Sequence, residues 1–249
     1  MSNKVHMIMP MAGEGSRFKD IGIDTPKPLI EFNELPLFMN SLRTIEGVDV
    51  ATRTFIVRKE HVDNWKIDEK IHECYPDAIV MVVEQTTRGA AETAFLAIKN
   101  LILSNLADFN DSVLIMDCDV IVEADNWKNI IKNCRFDGVL LSFYSNDSKY
   151  SYAAVKNGKV ISTAEKIAIS DHALTSPYFI KKIEYFVDAF HEMEMYKPVN
   201  GEPTYKEMYM SILYNFMIAD GKKIILVDAD KIISLGTPEE LEKAKEEMK

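Results

Sequence analysis

The sequence predicts an α/β fold with a Rossmann-like, doubly wound, mixed but mostly parallel sheet. Three observations indicate this fold: apolar β-branched runs are nearly continuous, helical patterns separate them, and a glycine-rich loop follows the first run. Continuous apolar runs are typical of strands that helices cover on both faces. In such folds ligands bind where the carboxyl ends of the strands meet.

The first half of the chain alternates strands with helices. Strands are predicted at residues 5–11, 54–59, 78–83, 112–117 and 138–144. Helical spacing of apolar residues lies between them, at 35–47, 60–75, 88–103 and 124–134. We expect residues 1–144 to form a nucleotide-binding half.

In the second half of the chain the regular alternation of predicted strands and helices ends. This half begins with a predicted β-hairpin over residues 152–166, whose turn is Asn157–Gly158. It continues with a strand at 175–180, helices at 181–194 and 204–221, strands at 222–230 and 231–235, and a last helix that begins at Thr237-Pro238. We expect residues 145–249 to form a small β-rich, acceptor-binding part of one domain that covers residues 1–249.

Composition excludes several classes of protein. The chain has 249 residues, of which 47% are hydrophobic and 27% charged, as in globular domains. A net charge of −10 argues against a nucleic-acid surface, and no apolar run is long enough for a membrane span. The first residues do not resemble a secretory signal, so a cytoplasmic location is predicted. Three cysteines without a CxxC pair predict neither a zinc site nor disulfides.

The segment PMAGEGSRF (10–18) follows the first predicted strand. Its spacing is GxGxR rather than GxGxxG, because Phe18 stands where a dinucleotide site has its third glycine. Loop amides after a strand form a nest for an anion, and an arginine adds a fork for phosphate oxygens. The predicted phosphate-binding residues are Ala12, Gly13, Glu14, Gly15, Ser16 and Arg17.

Two further segments place charged side chains at the same edge of the predicted sheet. Prolines on both sides of Lys27 in TPKPLI stiffen this residue, so that its ammonium group can neutralise a phosphoryl group held by the glycine loop. In LIMDCDVIV (114–122), Asp117 and Asp119 are two residues apart at a strand end and share one face. Two carboxylates in one crevice repel unless a cation lies between them, which predicts Mg²⁺ as the cofactor.

MAGEGSRF followed by TPKPLI resembles the signature of the sugar-phosphate nucleotidyltransferases, the nucleoside-diphosphate-sugar pyrophosphorylases. The resemblance extends over most of the chain. It implies that Gln85 and Gly89 read the nucleobase, and that Asp119 is the principal metal ligand. It also implies that Glu165 binds the hydroxyls of the acceptor and that Lys166 holds its phosphate.

Tyr152, on the strand before Glu165, is a further candidate for lining the acceptor site. The sequence also departs from the family pattern at two places. Thr175-Ser176-Pro177-Tyr178-Phe179 lacks the glycine of the family's Thr-Gly-x-Tyr-Phe, so the acceptor is expected to differ from an ordinary hexose. Ser234 and Leu235 stand near the usual place of a second metal-binding aspartate, which leaves Asp230 or Asp228 as the substitute.

The resemblance implies an Mg²⁺-dependent reaction of an NTP with a sugar 1-phosphate, giving an NDP-sugar and pyrophosphate in nucleotide-sugar and polysaccharide biosynthesis. Arg17 would neutralise the leaving pyrophosphate, Lys27 the α-phosphoryl group and Lys166 the acceptor phosphate. Three alternatives stay open. They are a cytidylyltransferase for a non-sugar acceptor (phosphocholine-like or a phosphorylated amide) in surface-polysaccharide biosynthesis, a glycosyltransferase of similar fold, and a non-catalytic nucleotide-binding module. The nucleotide base and a homo-oligomeric state are also left open.

Overall fold

The computed structural model describes residues 4–196 and 207–247. In these ranges the strands are β1 (Val5–Met11), β2 (Glu31–Phe32), β3 (Leu35–Pro36), β4 (Thr52–Arg58), β5 (Ile79–Val83), β6 (Ser112–Ile115), β7 (Val120–Glu123), β8 (Gly138–Tyr144), β9 (Ser151–Lys156), β10 (Lys159–Glu165), β11 (His172–Ile180), β12 (Ile224–Asp228) and β13 (Lys231–Ser234). The helices are α1 (Ser16–Lys19), α2 (Leu37–Leu42), α3 (Lys59–Trp65), α4 (Ile67–Cys74), α5 (Ala90–Leu103), α6 (Asp125–Lys132), α7 (Ile183–Met195), α8 (Met210–Ala219) and α9 (Pro238–Glu247).

One mixed sheet organises the described residues. Its strand order is β10-β9-β11-β6-β1-β4-β5, and β8 and β12 continue it from β11. The four strands β6, β1, β4 and β5 are parallel, whereas β11 runs antiparallel to β6. The predicted fold class is therefore confirmed. The carboxyl ends of β1, β5 and β6 meet at one edge, which carries the predicted motifs.

Helices cover the sheet on both faces because the strand side chains alternate between them. On β1, Ile8 packs with α5, α7 and α8, whereas Met7 and Met9 pack with Trp127 of α6 on the opposite face. Phe95 of α5 stacks on Phe190 of α7 with ring centroids 4.2 Å apart. Full burial of each such side chain stabilises the fold by roughly 1.5–3 kcal/mol relative to exposure.

Several predicted elements are confirmed with shifted bounds. The Asn157–Gly158 turn is confirmed, since both residues have positive φ (53° and 72°) as a two-residue hairpin turn requires. The helix predicted at 60–75 is two helices, because Lys66 has a φ of 52°. Residues 204–206 of the helix predicted at 204–221 lie outside the described residues, and the described helix begins at Met210.

The strand predicted at 112–117 ends at Ile115, and the chain resumes pairing only at β7. The two aspartates between them thus leave the main sheet and lie in the connection. No helix among the described residues is both long and apolar enough to cross a membrane.

β10 is the outer strand of this sheet on its side, and its free edge is covered by α8. The Asn215 side chain accepts the N–H of Thr163 at 2.8 Å and donates to the Thr163 carbonyl at 2.8 Å. The amide of Asn215 thereby takes the place of a paired backbone residue.

Candidate active site

A cleft of about 440 Å³ opens at the carboxyl ends of β1 and β6. The cleft brings together the glycine loop, the TPKPLI segment and the two aspartates, three segments that the sequence predicts to lie at one edge of the sheet. Its walls are formed by Pro10, Met11, Gly13, Gly15, Ser16, Arg17, Phe18, Lys27, Pro28, Asp117, Cys118, Asp119, Glu207 and Gly236.

The glycine loop is shaped for close approach. Gly15 precedes α1 with a φ of +65°, and a Cβ built on it would lie 3.5 Å from the Cβ of Lys27. A Cβ on Gly13 would meet no atom within 4 Å, so this part of the loop faces open space in the cleft. Arg17 is exposed at the cleft wall, where its guanidinium group is available to a bound anion. Ala12 is instead buried behind the loop.

Lys27 begins a short 3-10 turn, Lys27–Leu29, after Pro26. Its Nζ donates a hydrogen bond to Asp119 Oδ2, and both side chains are only 23% exposed. Burial is the largest single effect on the pKa of Lys27 and lowers it, but the charge and hydrogen bond of Asp119 together with the neighbouring Cys118 and Asp117 outweigh burial, and the pKa is raised. The lysine is therefore a permanent cation in the cleft.

Asp117 lies deeper than Asp119. Its backbone N–H donates to Ser176 Oγ at 3.1 Å, which ties the β6 end to β11. Burial, and then the charge of Asp119, raise the pKa of Asp117 well above the usual range for an aspartate. Cys118 between them is buried, and burial raises the pKa of its thiol to about 12. Cys118 is thus a neutral thiol rather than a nucleophile.

The donor set at this end of the cleft fits Mg²⁺. In proteins Mg²⁺ is commonly held by one or two carboxylates together with substrate phosphates, and Asp117 and Asp119 supply two carboxylates beside the glycine loop. Within the described ranges no group of three His, Cys, Asp or Glu side chains is arranged to hold a metal ion. The pair is therefore a site that substrate phosphates would complete.

The expectation that Asp230 or Asp228 joins this pair is wrong. Neither residue lines the cleft, and Asp230 follows β12 with its N–H donating to the Glu123 carbonyl. Asp228 is hydrogen-bonded by Ser142 Oγ at 2.7 Å. In the sheet, β8 and β11 separate their strand from β6.

Sequence reasoning missed the residues that do lie beside Asp119. The Leu235 N–H donates to the Asp119 carbonyl at 2.8 Å, and a Cβ on Gly236 would lie 2.9 Å from Asp119 Oδ2. Glu240 of α9 accepts the Gly236 N–H at 3.0 Å and pairs with Lys149 at 2.8 Å. The pair Gly236-Thr237 after β13 was the available signal in the sequence, because a glycine at a turn allows another segment of the chain to approach its backbone closely.

A second cavity, of about 660 Å³, adjoins the end of β10 and is lined by Glu165, Lys166 and residues of α8. Glu165 Oε2 accepts hydrogen bonds from Ser151 Oγ at 2.5 Å and Ser211 Oγ at 2.8 Å. Lys166 donates to Tyr209 Oη at 3.0 Å, and this hydrogen bond raises its pKa. The predicted acceptor residues therefore line a cavity of their own beside the described start of α8.

Tyr152 does not line this cavity, which corrects the expectation for the acceptor site. Its side chain is fully buried, and its hydroxyl donates to the Asp147 carbonyl at 2.7 Å. The Tyr152 side chain lies in the core, so that no part of it is accessible to a ligand.

The predicted base-reading residues lie at the same edge of the sheet but outside the cleft wall. Gln85 is exposed between β5 and α5. Gly89 has a φ of +144°, and a Cβ on it would lie 2.7 Å from the Met208 carbonyl oxygen. The Arg88 carbonyl and the Ala91 N–H both hydrogen-bond to Met208. Base reading by Gln85 and Gly89 stays a prediction.

Comparison with known proteins decides the family. The sequence matches the profile of the nucleotidyl transferases over residues 6–209. The chain belongs to this family. The nucleotidyltransferase also resembles a nucleoside-diphosphate-sugar pyrophosphorylase from Vibrio cholerae RC9, with 28% identity, a TM-score of 0.81, and coverage of 96% of this chain and 99% of that one.

Two more distant structures share the fold of this nucleotidyltransferase. They are a UDP-glucose pyrophosphorylase complexed with UDP-glucose (TM-score 0.73) and the inositol-1-phosphate CTP transferase from T. maritima (TM-score 0.70). Each is 16% identical, and each comparison covers 99% of this chain and 98% of the other. The search of curated proteins finds no match. The predicted resemblance and the assignment as an enzyme are confirmed.

Proposed function

We propose that this nucleotidyltransferase is Mg²⁺-dependent and joins an NTP to a sugar 1-phosphate, releasing pyrophosphate. The observation that carries the proposal is the contact of Lys27 with Asp119 in the cleft that also contains Gly13, Gly15 and Asp117. A permanent cation, an anion-binding loop and paired carboxylates suit a triphosphate with its metal ion.

In the proposed reaction an oxygen of the acceptor phosphate forms a bond to the α-phosphorus. The bond from that phosphorus to the bridging oxygen of the β-phosphate breaks, and pyrophosphate leaves with the electron pair. The acceptor phosphate is already ionised, so no general base is needed. The chain contributes position and charge neutralisation instead.

Each residue has a defined part in this proposal. The loop at Gly13 and Gly15 leaves room for the triphosphate, and Arg17 neutralises the leaving pyrophosphate. Lys27 neutralises the charge that develops around the α-phosphoryl group. Asp117 and Asp119 would hold Mg²⁺, which would supply positive charge to offset the negative charge of the substrate phosphates.

On the acceptor side, Lys166 holds the acceptor phosphate. Glu165 is oriented by the hydroxyls of Ser151 and Ser211, so that its other oxygen can accept a hydrogen bond from the acceptor. The exposed Gln85 and the backbone at Gly89 are the proposed contacts of the nucleobase.

The deciding experiment measures pyrophosphate release from each of the common NTPs with sugar 1-phosphates. Lys27→Met and Asp119→Asn should each lower turnover by about 10²–10³-fold, since each removes charge stabilisation at the reacting phosphates. Lys59→Met is the matched control, because Lys59 pairs with Asp63 on the exposed face of α3. Near-normal pyrophosphate release by Lys27→Met would refute the proposed role.

One observation favours a second candidate, a cytidylyltransferase for a non-sugar phosphorylated acceptor. Ser176, at the position where the family commonly has glycine, is buried, with its Oγ hydrogen-bonded to the Asp117 N–H. A side chain at this position limits the approach of a sugar ring to the backbone. Phosphocholine and phosphorylated amides therefore belong in the same assay with CTP, and pyrophosphate release with these alone would establish this candidate.

The same assay distinguishes a glycosyltransferase of similar fold. A glycosyltransferase consumes an NDP-sugar and releases NDP, whereas the proposed enzyme consumes an NTP and releases pyrophosphate. Release of NDP from an NDP-sugar, with no pyrophosphate from any NTP, would replace the proposal by this alternative.

A further inference from the structure

A third cavity lies at the opposite edge of the main sheet from the catalytic cleft. It has a volume of about 560 Å³ and adjoins the amino ends of β1 and β6 and the residues that precede β4. Small-molecule sites commonly have volumes of this order. Its charged lining residues are Lys4, Lys128, Lys132, Lys181 and Asp49.

Four lysines around one cavity are unusual in a chain with a net charge of −10. Elsewhere on the surface some lysines are paired with acids, as Lys59 is with Asp63 and Lys149 with Glu240. Among the described residues, Lys4, Lys132 and Lys181 have no ion-pair partner. Asp49 is the one acidic residue of the lining, so that four ammonium groups share a single carboxylate around the cavity.

Local structure accounts for only part of this cluster. Lys128 lies 3.5 Å from Asp125, one turn away on α6. Lys132 is in the last turn of α6, where the helix dipole favours a cation. Neither reason applies to Lys4 or Lys181, which come from other elements.

The backbones of Lys4 and Lys181 are fixed on both sides. The Lys4 N–H donates to Asp111 Oδ1 at 3.0 Å, and the Lys4 carbonyl accepts the Ser112 N–H at 2.7 Å. The Lys181 N–H donates to the Asp137 carbonyl at 3.0 Å, and the Lys181 carbonyl accepts Ser112 Oγ at 2.8 Å. The backbones of two of the four lysines are therefore held in place before any ligand arrives.

The remaining walls indicate the kind of anion. Val5, Val48, Ile131 and Phe179 form apolar surface between the lysines. Lysine binds phosphate as a compact point charge, and apolar walls suit the rest of a small organic molecule. We propose that this cavity is a second binding site, distinct from the catalytic cleft, for a phosphate-bearing small molecule.

Cys134 provides a local probe for the test. Cys134 is one of the lining residues of the cavity and its thiol donates to the Phe136 carbonyl at 3.3 Å, whereas Cys74 is exposed on α4 and lies outside the cavity. The rates of iodoacetamide alkylation of both thiols are measured by peptide mass spectrometry, with pyrophosphate as the ligand and with sodium chloride at equal ionic strength as the control. A pyrophosphate concentration of about four times Kd should slow alkylation of Cys134 about fivefold. The rate at Cys74 should be unchanged.

Two variants make the test decisive. Lys4→Gln/Lys181→Gln should abolish the protection of Cys134 while leaving the folded circular-dichroism spectrum and turnover as in the wild type. Lys27→Met should retain the protection, because its change is confined to the catalytic cleft. Failure of the proposed reaction would therefore leave this result intact.

The proposal is overturned by unchanged alkylation of Cys134, by equal slowing in chloride, or by protection that survives Lys4→Gln/Lys181→Gln. Loss of protection in Lys27→Met would also overturn it, since the effect would then come from the catalytic cleft.

Discussion

Asp117 is a carboxylate buried beside a second carboxylate, and its position has a cost in stability. The nearby cation Lys27 hydrogen-bonds to Asp119 rather than to Asp117. Burial and like charge both disfavour the ionised form of Asp117 in the folded protein. Sites that hold a ligand are often strained in this way before the ligand arrives.

We expect Asp117→Asn to stabilise the metal-free protein by about 1–2 kcal/mol, because the substitution removes a buried charge without changing the shape of the side chain. Urea unfolding in buffer with chelator measures this change. Asp77→Asn, at an exposed aspartate, is the control and should leave the free energy of unfolding unchanged. Adding Mg²⁺ and NTP should stabilise the wild type more than Asp117→Asn, and a less stable Asp117→Asn protein would contradict this account.

At the scale of elements, the start of α5 depends on a close contact between two backbones. Gly89 faces the backbone of Met208, and hydrogen bonds on both sides of the glycine hold the two segments together. These contacts attach the segment that carries the predicted base-reading residues to Met208, two residues before α8.

Gly89→Ala should destabilise the protein by about 2–3 kcal/mol, because the new methyl group would overlap the Met208 backbone at a positive φ. Gly47→Ala is a matched control: its φ is +83°, but nothing lies within 4 Å of the added Cβ. Gly47→Ala should lower the free energy of unfolding by only about 1–2 kcal/mol, because alanine is strained in the left-handed conformation. Equal changes in melting temperature for the two variants would show that the Met208 contact is not rigid.

His6 of β1 makes stability depend on pH. It is fully buried, with Nδ1 2.9 Å from Thr52 Oγ1 and Nε2 3.2 Å from Asp111 Oδ2. Burial lowers its pKa below 6.5, the nearby Lys4 lowers it further, and Asp111 only partly opposes this. Burial also lowers the pKa of His61. Below pH 6.5 the unfolded chain therefore binds more protons than the folded one.

The two histidines should lower the free energy of unfolding as the pH drops from 6.5 toward their folded pKa values, by up to about 1.4 kcal/mol per pH unit each, whereas Asp117, whose pKa is raised by burial, has the opposite effect in this range. Above pH 6.5 the contribution of the histidines is fully present. In an Asp117→Asn background, which removes the opposing titration, His6→Gln should remove about half of the slope in urea unfolding between pH 6.5 and 5. His72→Gln, at an exposed position, should retain the full slope, and the same slope in His6→Gln would exclude His6 as its source.

At the scale of the whole molecule, one sheet joins the two predicted halves. β11 of the acceptor-binding half pairs with both β6 and β8 of the nucleotide-binding half. Each apolar cluster also draws residues from both halves, as Ile8 and Phe186 show in one of them. We therefore predict that the chain unfolds as a single cooperative unit.

Leu140→Ala tests this prediction, because Leu140 is fully buried on β8. The variant should lose about 3 kcal/mol of stability, and hydrogen exchange should show the same loss at β1 and at β12. Ile161→Ala, at a side chain that is 49% exposed, should change little. Retained protection of β1 with loss at β12 would mean that the halves unfold separately.

Local pattern predicted most of the strands and several of the residues that the structure brings together in one cleft. Gly13, Gly15, Lys27 and Asp119 each stand in a short segment whose residue types reveal a strand end or a stiffened loop, and strand order then brings them together. The contacts beside Asp119 were not predictable in this way, because Gly236 and Glu240 lie more than a hundred residues away in sequence. The burial of Tyr152 was not predictable in this way either, because Tyr152 and its neighbour Ala153 are both fully buried, so that both faces of β9 are covered at this point.

Asn215 bears on how copies of this protein behave toward one another. An outer strand with unpaired backbone groups is a template for another chain, and pairing of such edges leads to aggregates. Asn215 occupies both backbone groups of Thr163 on β10, so an approaching strand would first have to displace α8. A hydrogen-bonding amide on a helix thus protects this edge of the sheet from pairing with a strand of another molecule.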